Sequence, residues 1–461
     1  MNTYVIVLLV NLLVQVFSDQ SDIHIGYQVT LAIPAVYTKG FLGRAFLMET
    51  EQTAPNFRAA ISVESNFEEK YSCSLDILLG DVRVWSSGHL SRFYTSEKCV
   101  LEFTQYGDLR LKGQNERIGW KSGTSGQGVE RLQILRTGNL VLVDSLNFIK
   151  WQSFNFPTDI MLWGQRLSSQ TRLTSFPINS TLFYSLEIQN DKIALYLNLG
   201  RSKYSYWEYQ PSTKQNITFI QLTSTGLEIF NGKHRFDQIK SANPDPLRFL
   251  ALENSTGDLK LYRYSEENEK FEASYQAINF TCDLPLACRP YGICTSSGSC
   301  SCVRLVNGEG LQSDCNKEIK FDGLCGKSEA KMLELQGVLS VLKSGLYRGS
   351  VGKEVCEDLC LDDCTCEAIQ YTSLGECFLY KMVRGIKQVE RGSYKEVSNY
   401  MVKVPRGTND DGNGKSFGLK KWVVIVIGVG DGFLIFLVLG GLGYYLIWKR
   451  RKDLNVTDQA N

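Results

Sequence analysis

From about Ser21 to Tyr275, apolar residues alternate with polar ones in short runs, and the runs are punctuated by Gly, Asn, Asp and Ser. Period-two alternation bounded by turn formers predicts half-buried antiparallel strands. The pattern is clearest in "CVLEFTQYGDLRL", around Tyr106-Gly107-Asp108, and "LQILRTGNLVLVD", around Thr137-Gly138-Asn139. Both read as an apolar run, x-Gly-Asx, Leu and then apolar residues at alternate positions, an internal repeat of hairpins. A further hairpin is predicted in "STLFYSLEIQNDKIALYLN" about Asn190-Asp191. "GWKSGTSGQGVE" carries four glycines but no helix pattern follows it, as a phosphate cradle would need, so it is predicted to be a flexible connection.

One passage breaks the alternation: "WQSFNFPTDIMLWGQRL", Trp151 to Leu167. Pro157 bars a central strand there, and Trp151, Phe154, Phe156 and Trp163 carry too much apolar surface to be left in water. The segment is predicted to be an apolar connector locked between two β domains.

The two ends set the compartment. Tyr4 to Phe17 is apolar, too short to span a bilayer comfortably, and closes on Val16-Phe17-Ser18 before Asp19, which predicts a cleaved secretory signal over 1–18. Trp422 to Trp448 is long and apolar enough for a membrane helix, with aromatic residues at its edges. Lys449, Arg450, Arg451 and Lys452 outnumber Lys420 and Lys421 on the other flank, so a type I orientation is expected, with a linker over 405–421 and a cytosolic tail over 449–461. Within the apolar run, Gly428 and Gly432 form G-x-x-x-G beside Asp431. Small residues permit close helix approach, and an intramembrane carboxylate is expensive without a partner, so association through these three residues is expected, with a homodimer or a partner receptor kinase.

Twelve of the fourteen cysteines fall between Cys282 and Cys377, and none of the three histidines lies among them. In an exported chain that density predicts disulfides rather than thiolate metal sites. Cys282, Cys288, Cys294, Cys300, Cys302 and Cys315 crowd a stretch too short for its own apolar core, so bridges must hold it, although spacing alone leaves their pairing open. Cys356, Cys360 and Cys364 are four apart, predicting one side of a helix shared with Val355 and Leu359 and pinned to a sheet. Cys73 and Cys99 remain, and a bridge between them leaves no free thiol. Asn179, Asn216, Asn254 and Asn279 each stand in N-x-Ser/Thr, predicting glycosylated surface positions.

The string "WQSF-x-x-PTD-x-x-L-x-G-x-x-L" resembles a hallmark of the plant G-type lectin receptors, the bulb-lectin and S-locus-glycoprotein-like group, and the resemblance covers nearly the whole ectodomain. It implies a mainly β chain: tandem bulb-lectin-like β-prism domains over 19–167 and 168–278, an EGF-like module over 279–317, an α+β PAN/apple module over 325–404 and a single membrane helix. The EGF-like order implies Cys282 with Cys294, Cys288 with Cys300 and Cys302 with Cys315. The PAN-like order implies Cys356 with Cys377 and Cys360 with Cys366, with Cys325 and Cys364 as the remaining pair. "AINFT" before Cys282 lacks a carboxylate for calcium, and no cofactor is expected.

Bulb lectins hold mannose through Q-x-D-x-N-x-V-x-Y. In "LRTGNLVLV", Leu135 stands for the Gln, Thr137 for the Asp and Val143 for the Tyr, while Asn139 and Val141 persist. In "TQYGDLRLK", Thr104, Tyr106, Arg110 and Lys112 replace Gln, Asp, Val and Tyr, and Asp108 stands for Asn. Ordinary mannose recognition at these strands is therefore not expected, and Asn139 and Asp108 are predicted to be turn formers.

Fifty basic residues balance forty-nine acidic ones, which gives no electrostatic footprint for nucleic acid. No nucleophile, base or zinc motif points to an enzyme. Thirteen residues follow Trp448 without a kinase motif, so the family resemblance points to the kinase-less receptor-like proteins. The expected function is a plasma-membrane receptor or co-receptor binding an extracellular carbohydrate or protein; a non-signalling tether between membrane and cell wall is the alternative.

Overall fold

The computed structural model describes residues 22–51, 55–66, 68–178, 181–242, 246–303, 305–307, 310–312, 324–343, 345–389 and 399–406. The predicted signal and membrane segments, with Gly428, Asp431 and Gly432, lie outside the described residues, as do Asn179 and Cys315. No helix among the described residues is long and apolar enough to cross a membrane.

Three antiparallel sheets form the first β unit. One joins Ile23–His24, Val129–Ile134, Leu140–Asp144 and Ile149–Gln152; the second joins Gln28–Ala32, Lys98–Phe103, Leu109–Lys112 and Ile118–Lys121. The third is built on Leu42–Glu49, Phe57–Ser65, Tyr71–Leu79 and Val82–Ser86, with Phe93–Thr95 paired to its third strand. Alternate residues of all three, among them Leu75, Ile77, Leu109, Leu111, Leu140 and Leu142, meet in one apolar core.

The last strand of each four-strand run brings a tryptophan to this core. Trp85, Trp120 and Trp151 sit edge to face with ring centres 6.3, 5.9 and 5.7 Å apart. Two residues beyond each lies a serine, and the Oγ atoms of Ser87, Ser122 and Ser153 accept the backbone N–H of Leu75, Leu109 and Leu140 at 2.9, 3.0 and 3.0 Å. The hairpin repeat is thus threefold, where two copies are apparent in the alternation, and the third is built on Ser74-Leu75. Both predicted x-Gly-Asx turns are present, with Gly107 and Gly138 at φ 81° and 80°, which glycine adopts without a Cβ clash.

The passage from Ile160 to Thr174 supplies the first strand to each of three further sheets. Ile160–Leu162 heads a sheet with Leu247–Leu252, Leu259–Ser265 and Lys270–Gln276; Arg166–Ser168 heads one with Phe219–Leu222, Gly226–Asn231 and His234–Lys240. Leu173–Thr174 heads the last, with Leu182–Ile188, Ile193–Leu199 and Ser202–Tyr209. The predicted Asn190-Asp191 hairpin is here, with Ile188 opposite Ile193. Strands of two or three residues are too short to show a period, which is why this passage does not alternate. Ile160, Leu162, Phe249 and Ala251 pack into the first core while Met161 and Leu250 pack into the second, so the connector is held between the two.

The expectation that all four large rings of the connector are buried is corrected. Trp151 is 6% exposed, but Phe156 and Trp163 are 53% and 50% exposed. Phe156 lies stacked on Trp151, 5.7 Å between centres, and covers it with one face while the other stays in water.

The cysteine-rich segments continue the apolar cluster of the second β unit through Tyr291, Val303, Val341, Tyr380, Val383 and Tyr400. The hairpin Gly292–Cys294 with Cys300–Cys302 pairs in parallel with Ile386–Gln388, which pairs in turn with Val338–Ser340, so the two cysteine segments share a sheet. Ala330–Leu335, Asn399–Pro405, Ala368–Tyr371, Glu376–Tyr380 and Leu346–Ser350 form a five-stranded sheet under the helix Lys353–Asp362. That helix buries Cys356, Cys360 and Leu361, whereas Val355 and Leu359 are 50% and 36% exposed and Cys364 lies past its end. The predicted helix face is corrected: the bridge from Cys356 to Cys377 in the sheet and that from Cys360 to Cys366 in the following turn hold the cysteine side inward, and Val355 and Leu359 lie away from it.

Disulfides join Cys73 to Cys99, Cys282 to Cys294, Cys288 to Cys300, Cys325 to Cys364, Cys356 to Cys377 and Cys360 to Cys366. Cys302 is also disulfide-bonded, and no cysteine among the described residues is free.

Candidate functional site

The two hairpins bearing the degenerate mannose motif place the matched positions on the strand face opposite the core leucines. Asn139 is buried and fully engaged: its Nδ2 donates to Gln152 Oε1 at 2.8 Å, and its Oδ1 accepts from Ser153 Oγ and the Phe154 N–H, both at 3.2 Å. It therefore holds the start of the connector in place. Val141 and Val143 are 1% and 2% exposed, which closes this strand to a ligand.

Asp108 does the equivalent work in the other hairpin. Its Oδ1 accepts from Ser122 Oγ at 2.9 Å, the Gly123 N–H at 2.8 Å and the Thr124 N–H at 3.1 Å, and its Oδ2 accepts from Arg110 Nε at 2.8 Å. The glycine-rich passage expected to be slack is pinned at its head by this carboxylate. Thr124 Oγ1 adds a bond to the Gly107 carbonyl at 2.6 Å. Lys112, at the position of the motif Tyr, is occupied by Glu102 and Glu116 at 3.2 and 2.6 Å. Asn139, Asp108 and Lys112 are thus each engaged by partners within the chain.

Although burial works against its charge, the bonds from Arg110, Ser122, Thr124 and Gly123 hold the Asp108 carboxyl below the ordinary carboxylate value. A depressed folded-state pKa gives stability that is present above the unfolded value and lost as pH falls through the folded one. Asp108→Asn keeps the shape and removes the charge. The melting-temperature gap between it and the unaltered chain should be widest near neutrality and narrow below about pH 4; a gap constant with pH would show that the carboxylate charge contributes nothing.

The third hairpin gives a different surface. Ser72, Ser74 and Asp76 share the face opposite Cys73 and Leu75, and a small pocket of about 20 Å³ is lined there by Glu64, Ser74, Arg83, Ser86, Arg92 and Phe176. Asp76 is fully buried, lies 3.8 Å from Arg83 Nη1 and accepts no hydrogen bond among the described residues. Burial opposes the Arg83 charge, but Asp76 and Glu64 beside it hold the guanidinium above its ordinary value. This repeat escapes the sequence pattern because Ser74 replaces Asx and no Gly precedes it; the Trp-x-Ser spacing at Trp85, Trp120 and Trp151 is the signal that marks all three.

At the second motif-bearing hairpin, Tyr106 is 75% exposed and stands clear of the clamped residues. A larger concavity lies elsewhere in the first β unit. It measures about 330 Å³ and is lined by Tyr37, Tyr71, Tyr94, Lys70, Ser96 and Gln114, with Glu69 at its rim. Of the glycan acceptors, Asn216, Asn254 and Asn279 are exposed. Asn254 Nδ2 also donates to Asp159 Oδ2 at 2.6 Å, and its Oδ1 accepts from the Phe176 N–H at 2.6 Å.

Comparison with known families gives a match to D-mannose binding lectin over residues 84–181. That span takes in both motif-bearing hairpins and the connector. The chain is similar in sequence to plant G-type lectin S-receptor-like proteins. It is 24% identical over 387 residues to the G-type lectin S-receptor-like serine/threonine-protein kinase SD2-5 of Arabidopsis thaliana, covering 80% of this chain and 46% of that protein. A PAN domain-containing protein of the same plant is 27% identical over 312 residues, covering 62% of this chain and 60% of that one. The chain thus spans about half the length of these G-type and PAN domain-containing relatives. Among solved structures, a monomeric monocot mannose-binding lectin from Gastrodia elata is 19% identical, with 29% of this chain and 94% of that one covered and a TM-score of 0.19. The similarity to G-type lectin receptor kinases is one of sequence.

Proposed function

We propose that this protein is the ligand-binding, receptor-like member of a cell-surface complex: a glycoprotein of the plasma membrane, held as a type I protein by residues 422–448, that binds an extracellular carbohydrate without catalysing a reaction. The observation that carries this reading is the lectin match over 84–181 laid on a β unit whose hairpin strands are closed by their own clamps. The scaffold is kept and the mannose chemistry is not, which supports binding of a glycan other than the simple mannose ligand, at another face. Regions 279–317 and 325–404 are read as EGF-like and PAN modules, supported by the disulfide order and by the PAN domain-containing relative. Signal transfer would run through self-association or a partner receptor kinase, with Gly428, Asp431 and Gly432 as the contact.

A glycan array probed with the purified, disulfide-intact full chain tests the binding reading. The expected result is retention on neutral wall-type oligosaccharides that free sugar competes away, with mannose no better than other hexoses. A blank array from folded protein would remove the carbohydrate ligand and leave a protein one.

A further inference from the structure

The 330 Å³ concavity belongs to neither motif-bearing hairpin. Its walls come from the loop after Gln28–Ala32, the turn before Tyr71–Leu79, the strand Phe93–Thr95 and the short 3-10 turn Gln114–Glu116. Four segments far apart in sequence converge on it.

The aromatic walls are fixed by their own hydroxyls. Tyr71 Oη accepts the Thr38 N–H at 2.8 Å and donates to the Val36 carbonyl at 3.1 Å, and Tyr37 Oη donates to the Asn66 carbonyl. The Tyr37 and Tyr71 rings lie 5.6 Å apart. Tyr94, half-buried across the cavity, carries the Lys70 ammonium 5.7 Å from its ring centre. The Tyr37 and Tyr71 rings are therefore set before any ligand arrives, which spares part of the ordering cost of binding.

The polar groups around these rings offer both donors and acceptors. Ser96 Oγ donates to Gln114 Oε1, so that the Gln114 amide is oriented while its Nε2 has no acceptor among the described residues. Besides the Tyr94 ring, the Lys70 ammonium meets an exposed Glu68 at 3.4 Å, an ion pair that water screens. Glu69 has φ 57°, and Asn115 and Glu116, beside Gln114 in the chain, have φ 54° and 57°. Left-handed backbone at non-glycine residues is uncommon and concentrates at functional sites. Here three such residues flank one cavity.

The geometry points to this tyrosine-lined cavity as a saccharide site, a reading that rests on the lectin function proposed above and names the face that performs it. Its volume suits a small ligand of one or two pyranose rings. Tyrosine faces take the C–H face of a sugar, and a mixed rim of ammonium, amide, hydroxyl and carboxylate matches hydroxyls that both give and accept. With one ammonium and one carboxylate in the lining, Lys70 and Glu69, a neutral saccharide fits better than an anionic one.

Titration calorimetry of the purified full chain with mannotriose, cellotriose, xylotriose and galactotriose tests the site. At least one trisaccharide should bind, with affinity falling about tenfold or more in Tyr94→Ala and about fivefold in Gln114→Ala, and changing less than about twofold in Tyr94→Phe. Thr137→Ala, on the motif hairpin, should bind as the unaltered chain does. Near-UV circular dichroism confirms that each variant is folded. Binding that survives both Tyr94→Ala and Gln114→Ala overturns this site and leaves the lectin reading standing. Failure of all four sugars to bind the folded chain, or binding of a proline decamer in their place, overturns the saccharide site and with it the reading on which it rests.

Discussion

Truncating Trp151 to Ala should destabilise the first β unit by about 3–5 kcal/mol, while the same change at Trp163 should cost less than about 1 kcal/mol. The two residues stand in one seventeen-residue passage of similar composition, but their surroundings differ. Trp151 is 6% exposed and makes ring contacts with Trp85, Trp120 and Phe156, so its removal opens a hole at the point where three sheets meet. Trp163 is 50% exposed and gives up little. The Trp85 Nε1–H donates to the Phe156 carbonyl at 2.9 Å, so the loosened core should also free the connector. Denaturant melts of both variants, read by near-UV circular dichroism, check this. Equal losses would mean that the tryptophan cluster does not organise the fold.

That contrast shows what the sequence makes legible. Hairpins announce themselves locally, because period-two alternation about Gly-Asx involves only neighbours, and the x-Gly-Asx turns at Gly107 and Gly138 were readable for that reason. Burial of single rings depends on partners that are far away: Trp120 stands in a passage that reads as a flexible connection and Trp151 in one that reads as a connector, and only the closure of three sheets brings both together with Trp85. The helix face was misjudged on the same ground. Helical spacing groups Val355 and Leu359 with the cysteines, while the orientation is set by bridges to Cys377 in the sheet and to Cys366 in the turn after the helix. At the motif hairpins Asn139 and Asp108 read as turn formers, whereas their side chains reach past their own turns to hold Gln152–Phe154 and Ser122–Thr124, partners that local pattern does not reveal. The tyrosine cavity had no signal at all, because Tyr37, Tyr71, Tyr94 and Gln114 occupy four unrelated strands and turns.

Lys403 is a further long-range residue, and its replacement by Met should destabilise the second cysteine region by about 2–4 kcal/mol. It sits in the strand Asn399–Pro405, 3% exposed, between Val402 and Val404 that are wholly buried. Its Nζ donates to the carbonyls of Cys360, Leu361 and Asp363 at 2.9, 3.2 and 3.1 Å. The last carbonyls of a helix have no partner within it, and their partial negative charge favours a cation, so one ammonium serves the C-terminal end of Lys353–Asp362. Burial lowers the Lys403 pKa while Asp363 and Asp362 raise it, and the net direction is downward. Charging this side chain therefore carries a desolvation cost, which Met avoids. The Cys360 carbonyl left without a donor, together with the second donor lost by the Leu361 and Asp363 carbonyls, which keep the N–H groups of Gly326 and Cys366, outweighs that saving. Disulfides Cys356–Cys377 and Cys360–Cys366 keep the helix tethered in the variant, so the loss should appear as faster amide exchange over Cys356–Leu361 together with a lower melting temperature. Exchange at the unaltered rate would mean that water reaches those carbonyls and that the lysine is only a neighbour.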